Sequence, residues 1–151
     1  MARDHLSEDK IALFKRVCRE QGIKVTPQRL EIFLEIVDAR DHPSAEDVYK
    51  RVKTRLPTIS LDTVYRTLAT FERCGLVGKV QFLEDRLRFD PNLETHQHLV
   101  CTECKGVLDF SWPEFDEAAL PREVADWGRP ESRHAHIRGI CAACAAKRKR
   151  K

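Results

Sequence analysis

Long apolar runs are missing from this chain of 151 residues. None approaches the roughly eighteen apolar residues of a membrane-crossing helix, and the opening Met1-Ala2-Arg3-Asp4-His5-Leu6 has no apolar signal core. Internal repeats are also absent. These absences predict a soluble, cytoplasmic protein with no membrane partner. Neither sign of charge dominates: 27 Lys and Arg stand against 24 Asp and Glu, a net charge of +3. The balance is uneven along the chain. Residues 1–90 hold 17 basic and 15 acidic side chains, residues 91–146 hold 5 and 9, and residues 147–151 are all basic. A mildly positive first part permits phosphate contacts without proving them, and the terminal run reads as a solvated tail.

Cysteine is present in an informative pattern. Cys101 and Cys104 form one Cys-x-x-Cys pair and Cys141 and Cys144 another, with 36 residues between them. A two-residue spacer lets both sulfurs of a tight turn face one ion, so the two pairs read as halves of one tetrahedral zinc site. Two disulfides or two redox motifs are the other reading. A disulfide closing so short a loop is uncommon, and no thioredoxin-like βαβ pattern surrounds either pair. Four thiolates leave no open coordination position, so the Zn²⁺ is expected to be structural. That reinforcement suits a chain whose length allows one ordinary domain or two small, marginal ones. Cys18 and Cys74 lie in apolar helical patterns and read as core filler, with reactive thiols as the alternative.

Helical spacing dominates the first half, through Ile11, Phe14, Val17 and Cys18, then Leu30, Phe33, Leu34 and Val37, then Ala45, Val48, Tyr49, Val52 and Leu56. Pro27 suits a first helical turn, Ser44 with Asp47 forms a capping box, and Pro57 ends the third helix. A fourth helix starts at Ser60, with Leu61, Val64, Leu68 and Phe71 on its apolar face, and stops at Gly75. The period then changes to two. Val77, Lys79, Val80 and Phe82, the Glu84-Asp85 turn, and Leu87 and Phe89 predict a hairpin.

Helices followed by a hairpin is the order of a winged helix, in which the last helix reads the major groove of double-stranded DNA. On that reading the fourth helix begins at Ser60 and presents Thr63, Tyr65, Arg66 and Thr67, types that contact phosphates and base edges. From the helix alone, ordinary surface positions account for them equally well.

Residues 91–95 are polar and turn-prone and read as a hinge. Beyond it, His98–Cys101 and Val107–Phe110 predict two strands joined by the first cysteine turn, with Gly106 assisting. Residues 113–124 predict a helix, and His134–Ile140 a further strand. So small a sheet buries little by itself, which predicts a homodimer. The expected architecture is α+β. A winged-helix DNA-binding domain over 1–90 and a hinge at 91–95 precede a small α/β dimerisation domain over 96–146 with the four-Cys zinc site, then a basic tail at 147–151.

A second metal constellation is visible. His96 and His98 form a His-x-His whose rings share one side of a strand. Asp90 precedes the hinge, Asp109 lies on the next strand, and His42 opens the loop before the third helix. Three imidazoles and two carboxylates suit Fe²⁺ or Mn²⁺ better than a thiolate site does, although zinc also accepts them. A lone His before Pro43 is more often a solvated loop residue or a cap. His134 and His136 read as surface strand residues. A metallohydrolase with a metal-bound nucleophilic water is a rival reading, but five ligands would crowd out substrate and no general base stands beside them. A zinc-ribbon adaptor that binds protein is a third.

These residues resemble the ferric uptake regulator family of metal-dependent bacterial repressors over nearly the whole chain. The landmarks are Thr26-Pro27-Gln28-Arg29, His42-Pro43-Ser44-Ala45-Glu46-Asp47-Val48-Tyr49, Ser60-Leu61-Asp62-Thr63-Val64-Tyr65-Arg66-Thr67-Leu68, His96-Gln97-His98-Leu99-Val100-Cys101-Thr102-Glu103-Cys104, and Cys141 with Cys144. The resemblance implies a regulatory metal site of His42, Asp90, His96, His98 and Asp109, operator DNA as partner, a homodimer, and no enzyme activity. Both carboxylate positions are Asp, as in the peroxide-responsive (PerR) branch. Gln97 and Arg133 stand where a third metal site of many members has ligands, which argues against that site here. The implied function is repression relieved by peroxide through an Fe²⁺ site, with Mn²⁺ as a peroxide-insensitive co-repressor. An iron or zinc uptake regulator of the same family is the alternative.

Overall fold

The computed structural model describes residues 2–81 and 87–149. The chain divides into two compact units, Met1–Leu93 and Glu94–Lys151. No helix among the described residues is long and apolar enough to cross a membrane.

The first unit is built on four helices: α1 (Ala2–Glu20), α2 (Pro27–Val37), α3 (Ala45–Lys53) and α4 (Leu61–Arg73). Each of the last three has a side-chain start signal. Thr26 accepts a hydrogen bond from the Arg29 N–H ahead of Pro27, and Ser60 accepts one from the Thr63 N–H. At α3 the capping box is complete: the Asp47 N–H donates to Ser44 Oγ at 3.2 Å, and the Ser44 N–H donates to Asp47 Oδ2 at 3.1 Å. Ser44→Ala is therefore expected to cost about 1 kcal/mol. A urea-unfolding midpoint that does not move would contradict this.

The helices close on three rings. Phe14 stacks on Phe33 with centroids 5.0 Å apart, and Phe71 meets both edge-on at 5.8 and 6.1 Å. Ile32, Ile36, Val48, Val52, Val64 and Leu68 fill in around them, fully buried. Cys18 belongs to this core, as the helical pattern predicts. Gly75, at φ +69°, ends α4 in the left-handed conformation that glycine adopts without strain.

Strands β1 (Gly78–Gln81) and β2 (Leu87–Asp90) pair antiparallel, Gly78 opposite Asp90 and Gln81 opposite Leu87. The predicted Phe82 position and the Glu84-Asp85 turn lie outside the described residues. The Phe89 N–H donates to the Pro43 carbonyl at 3.0 Å, and Ser44 bridges Arg88. The hairpin is thus tied to the segment that carries His42.

In the second unit, β3 (Gln97–Cys101) is the centre of a three-stranded sheet. It pairs antiparallel with β4 (Val107–Phe110) and parallel with β5 (His136–Gly139). The helix predicted over 113–124 is in fact two, α5 (Pro113–Glu117) and α6 (Arg122–Trp127). Pro121 explains the break. It has no N–H to give a helix, and it drives the preceding Leu120 out of helical geometry. A last helix, α7 (Ala142–Arg148), follows Cys141 at its N-cap position.

Candidate metal centres and DNA-reading helix

The four cysteines of the two pairs come together in the second unit, their sulfurs within 4.8 Å of one another. Cys101 ends β3, and Cys104 lies in the turn that leads to β4. Cys141 and Cys144 sit on the first turn of α7. Gly106 makes room in that turn, because a Cβ there would stand 3.3 Å from Cys104 Sγ. The Cys141 N–H donates to Cys101 Sγ at 3.3 Å. This bond, then that from the Cys104 N–H, lowers the Cys101 thiol to about 6. The Cys144 thiol is pushed up to about 12, first by its hydrogen bond with Cys141 and then by burial. Four thiols this close cannot all ionise together unless a cation offsets their charge. The donor set fits a thiophilic metal ion held for structure.

The histidines and aspartates form two preorganised groups. In the first unit, His42 Nε2 lies 3.2 Å from Asp90 Oδ2, with both residues buried. His42 takes φ +49°, a left-handed conformation that costs a non-glycine residue of order 1 kcal/mol or more. Strain at a buried polar residue points to a functional position. Asp90 is fixed by its second oxygen, which accepts the Asn92 N–H at 2.8 Å.

In the second unit, His98 and Asp109 face each other across β3 and β4, with Nε2 3.5 Å from Oδ1. His96 Nε2 lies 3.0 Å from His98 Nε2 and 3.7 Å from the same Asp109 oxygen. The Glu94 carbonyl lies 2.7 Å from His96 Nδ1. A carbonyl can only accept, so the ring proton sits on Nδ1 and the neutral ring keeps its lone pair at Nε2, the tautomer a metal ligand needs. Two imidazole nitrogens and a carboxylate oxygen directed at one point fit a borderline divalent cation. His134 and His136 are exposed, as expected, but β5 begins only at His136, so His134 lies ahead of the strand. The His136 ring sits 5.5 Å from that of His98, and burial, followed by the charge of His98, lowers its pKa.

Helix α4 presents Tyr65, which is 45% exposed, and Arg66, whose guanidinium pairs with Asp62 at 2.9 Å one turn earlier. Ser60 caps the helix and its hydroxyl lies 2.8 Å from Thr63 Oγ1, with Thr63 half-buried. Thr67 is a correction. It was expected on the exposed face, but it is buried together with Val64, Leu68 and Phe71. A stride of 3.6 residues carries position 67 onto the core side from 64 and 71, and a threonine methyl packs there. Leu61, expected in the core, is only half-buried.

Sequence reasoning missed three features, the first of them a pair of polar residues that act together. Gln97 is fully buried, donates to Asp116 Oδ1 at 2.7 Å and accepts the Ala135 N–H at 2.6 Å. Arg133 Nη1 donates to the carbonyls of Phe115 and Ala118. Both residues, read from the chain only as absent ligands, lock α5 to the segment entering β5. An apolar recess of about 350 Å³ on the sheet is lined by Leu99, Val107, Leu108, Ile137 and Ile140 beside the cysteines. The third feature is a hydrogen bond of 2.6 Å from the Tyr65 hydroxyl to Glu46 Oε1, between residues 19 apart on different helices. No periodic pattern in the chain marks these contacts: Gln97 is the first residue of β3, ahead of the strand expected over His98–Cys101.

Comparison with known proteins agrees with this geometry. The profile of the Ferric uptake regulator family matches residues 20–135. The peroxide-responsive repressor PerR of Staphylococcus epidermidis is 32% identical over 142 residues, 93% of this chain and 91% of that one. Among solved structures, the ferric uptake regulator of Vibrio cholerae superposes with a TM-score of 0.67 at 30% identity, covering 83% of this chain and 98% of that one. The Campylobacter jejuni peroxide stress regulator gives 0.62 at 28% identity, covering 89% and 98%. This chain therefore belongs to the ferric uptake regulator family, whose members are metal-dependent, DNA-binding transcriptional regulators and not enzymes.

Proposed function

We propose that the protein is a homodimeric repressor of the peroxide-responsive kind, with residues 1–90 binding DNA, 91–95 as hinge, 96–146 as the metal-binding dimerisation part and 147–151 as a basic tail. The observation that carries this reading is the trio His96, His98 and Asp109, preset with its nitrogen and oxygen donors converging around the buried His98. His42 and Asp90 complete the ligand set, as two donors already drawn together on the first unit. Ligands shared by two units couple metal occupancy to their arrangement, and only one arrangement matches an operator. Fe²⁺ held by these residues would reduce peroxide at the expense of a ligand imidazole, His42 or His96, whereas Mn²⁺ would hold the same residues without that reaction.

The cysteine quartet holds Zn²⁺ and fixes the sheet. Around the recess Leu108 is 62%, Ile137 44% and Ile140 42% exposed, an apolar face that supports pairing with a second copy. Ser60, Thr63, Tyr65 and Arg66 contact operator DNA, Tyr65 and Arg66 at base edges. The alternative, a metal-uptake regulator, draws on the likeness to the Vibrio cholerae protein.

The test is duplex binding by protein loaded anaerobically with Fe²⁺ or Mn²⁺, before and after a low dose of peroxide. The iron form is expected to release DNA, with one oxygen atom added to the peptide containing His42 or His96, and the manganese form to stay bound. Binding that needs metal but ignores peroxide in both forms would assign the protein to the uptake alternative.

A further inference from the structure

Tyr65 reaches solvent from α4 while its hydroxyl is engaged from behind by a residue of α3. Glu46 stands in the first turn of α3, where the complete capping box fixes the backbone and the helix dipole favours a carboxylate. At neutral pH a carboxylate only accepts hydrogen bonds. The proton in the 2.6 Å bond therefore belongs to Tyr65, and it is directed at Glu46. A phenol has one proton to give. With that proton committed, what the oxygen offers a base edge is a lone pair.

We infer that Glu46 is a specificity-determining residue: by holding the Tyr65 proton, it makes Tyr65 an acceptor that selects an exocyclic amino group in the major groove. This rests on the reading of α4 as the DNA-contacting helix. In that groove adenine N6 and cytosine N4 donate, while thymine O4 and guanine O6 and N7 accept. Each base pair has an amino group on one side and a carbonyl on the other. An obligate acceptor thus reads which strand carries the amino base. Glu46 acts through Tyr65 as a positioning residue and need not touch DNA.

The amide of Glu46→Gln removes this restriction, since its –NH₂ can donate to the phenol oxygen and free the phenol proton to turn outward. The experiment selects duplexes from a random pool with metal-loaded full-length protein and compares wild type, E46Q, Y65F and the double variant. Y65F identifies the position that Tyr65 reads, as the one position whose preference this substitution changes. Inverting that base pair is expected to weaken wild-type binding roughly fivefold, the scale of one hydrogen bond. In E46Q and in Y65F the two orientations are expected to bind within about twofold of each other, with no further change in the double variant. Tyr65 is exposed at 45%, so Y65F keeps the test valid should E46Q fold poorly. An inversion penalty in E46Q equal to that of wild type, or a carbonyl base selected at the Tyr65 position, would overturn the proposal while leaving DNA binding intact. If wild type enriches no duplex, the reading of α4 fails, and this proposal with it.

Discussion

Stripping the metal from the four-cysteine site is expected to unfold residues 94–151 while the helices of residues 1–93 persist. The reason is how little else holds the second unit. Its buried residues, among those described, are Gln97, His98, Cys101, Val107 and Cys144. Two of these five are thiol ligands, two are polar, and Val107 is the one aliphatic. The first unit, by contrast, buries a cluster of fifteen apolar residues among those described, Phe14, Phe33 and Phe71 included. Structural zinc sites contribute about 10–16 kcal/mol, more than a domain of this size holds in total stability. Both tryptophans, Trp112 and Trp127, lie in the second unit, and Trp112 stacks on Phe115 at 5.3 Å. Tryptophan emission therefore reports this unit alone, whereas the 222 nm ellipticity comes chiefly from α1–α4. A strong chelator, or Cys144→Ser, should change the emission and leave most of the ellipticity. An unaltered tryptophan spectrum in protein shown to be metal-free would refute the structural role.

His98→Ala is expected to lower affinity for the regulatory cation by more than about 100-fold, since losing an outer partner of a ligand already costs 10–100-fold. His98 is 3% exposed, and its Nε2 stands between His96 Nε2 and Asp109 Oδ1. Its removal takes one of three donors from a triangle in which His96 Nε2 and Asp109 Oδ1 are themselves 3.7 Å apart. The loss must be specific. Zinc content and tryptophan emission should stay as in wild type, because His98 is no part of the cysteine quartet. Mn²⁺ titration followed by calorimetry measures the affinity directly. Duplex binding at a fixed Mn²⁺ concentration should fall in parallel, because an effector shifts an equilibrium only by its differential affinity for the two states. Wild-type Mn²⁺ affinity in the variant would remove His98 from the ligand set.

What could be read from the chain alone follows a physical divide. Cysteine pairs at a two-residue spacing, capping residues at Ser44 and Ser60, and the apolar stride through Val64, Leu68 and Phe71 are local patterns, and each is found as expected. Thr67 is buried because angular position on the helix, not residue type, decides which face it joins. The helical pattern over 113–124 continues through Pro121, where the structure has a break. Contacts between distant segments left no trace in the pattern. Nothing local connects Glu46 to Tyr65, or Gln97 to Asp116 and the Ala135 N–H. The cross-strand meeting of His98 and Asp109 was legible only because two short strands flank one tight turn, which limits their register to few choices.

That register has a further consequence. Strand β3 carries His98 and, three residues on, Cys101, with His96 just ahead of it. Inserting or deleting one residue between them would turn one set of ligands to the opposite side of the sheet. A two-residue insertion would restore the facing but shift the pairing with β4 and β5. The spacing from His96 to Cys104 is therefore a single indivisible ruler. Two candidate metal-binding groups with different donor chemistry share one piece of backbone, and neither can be moved along it without the other.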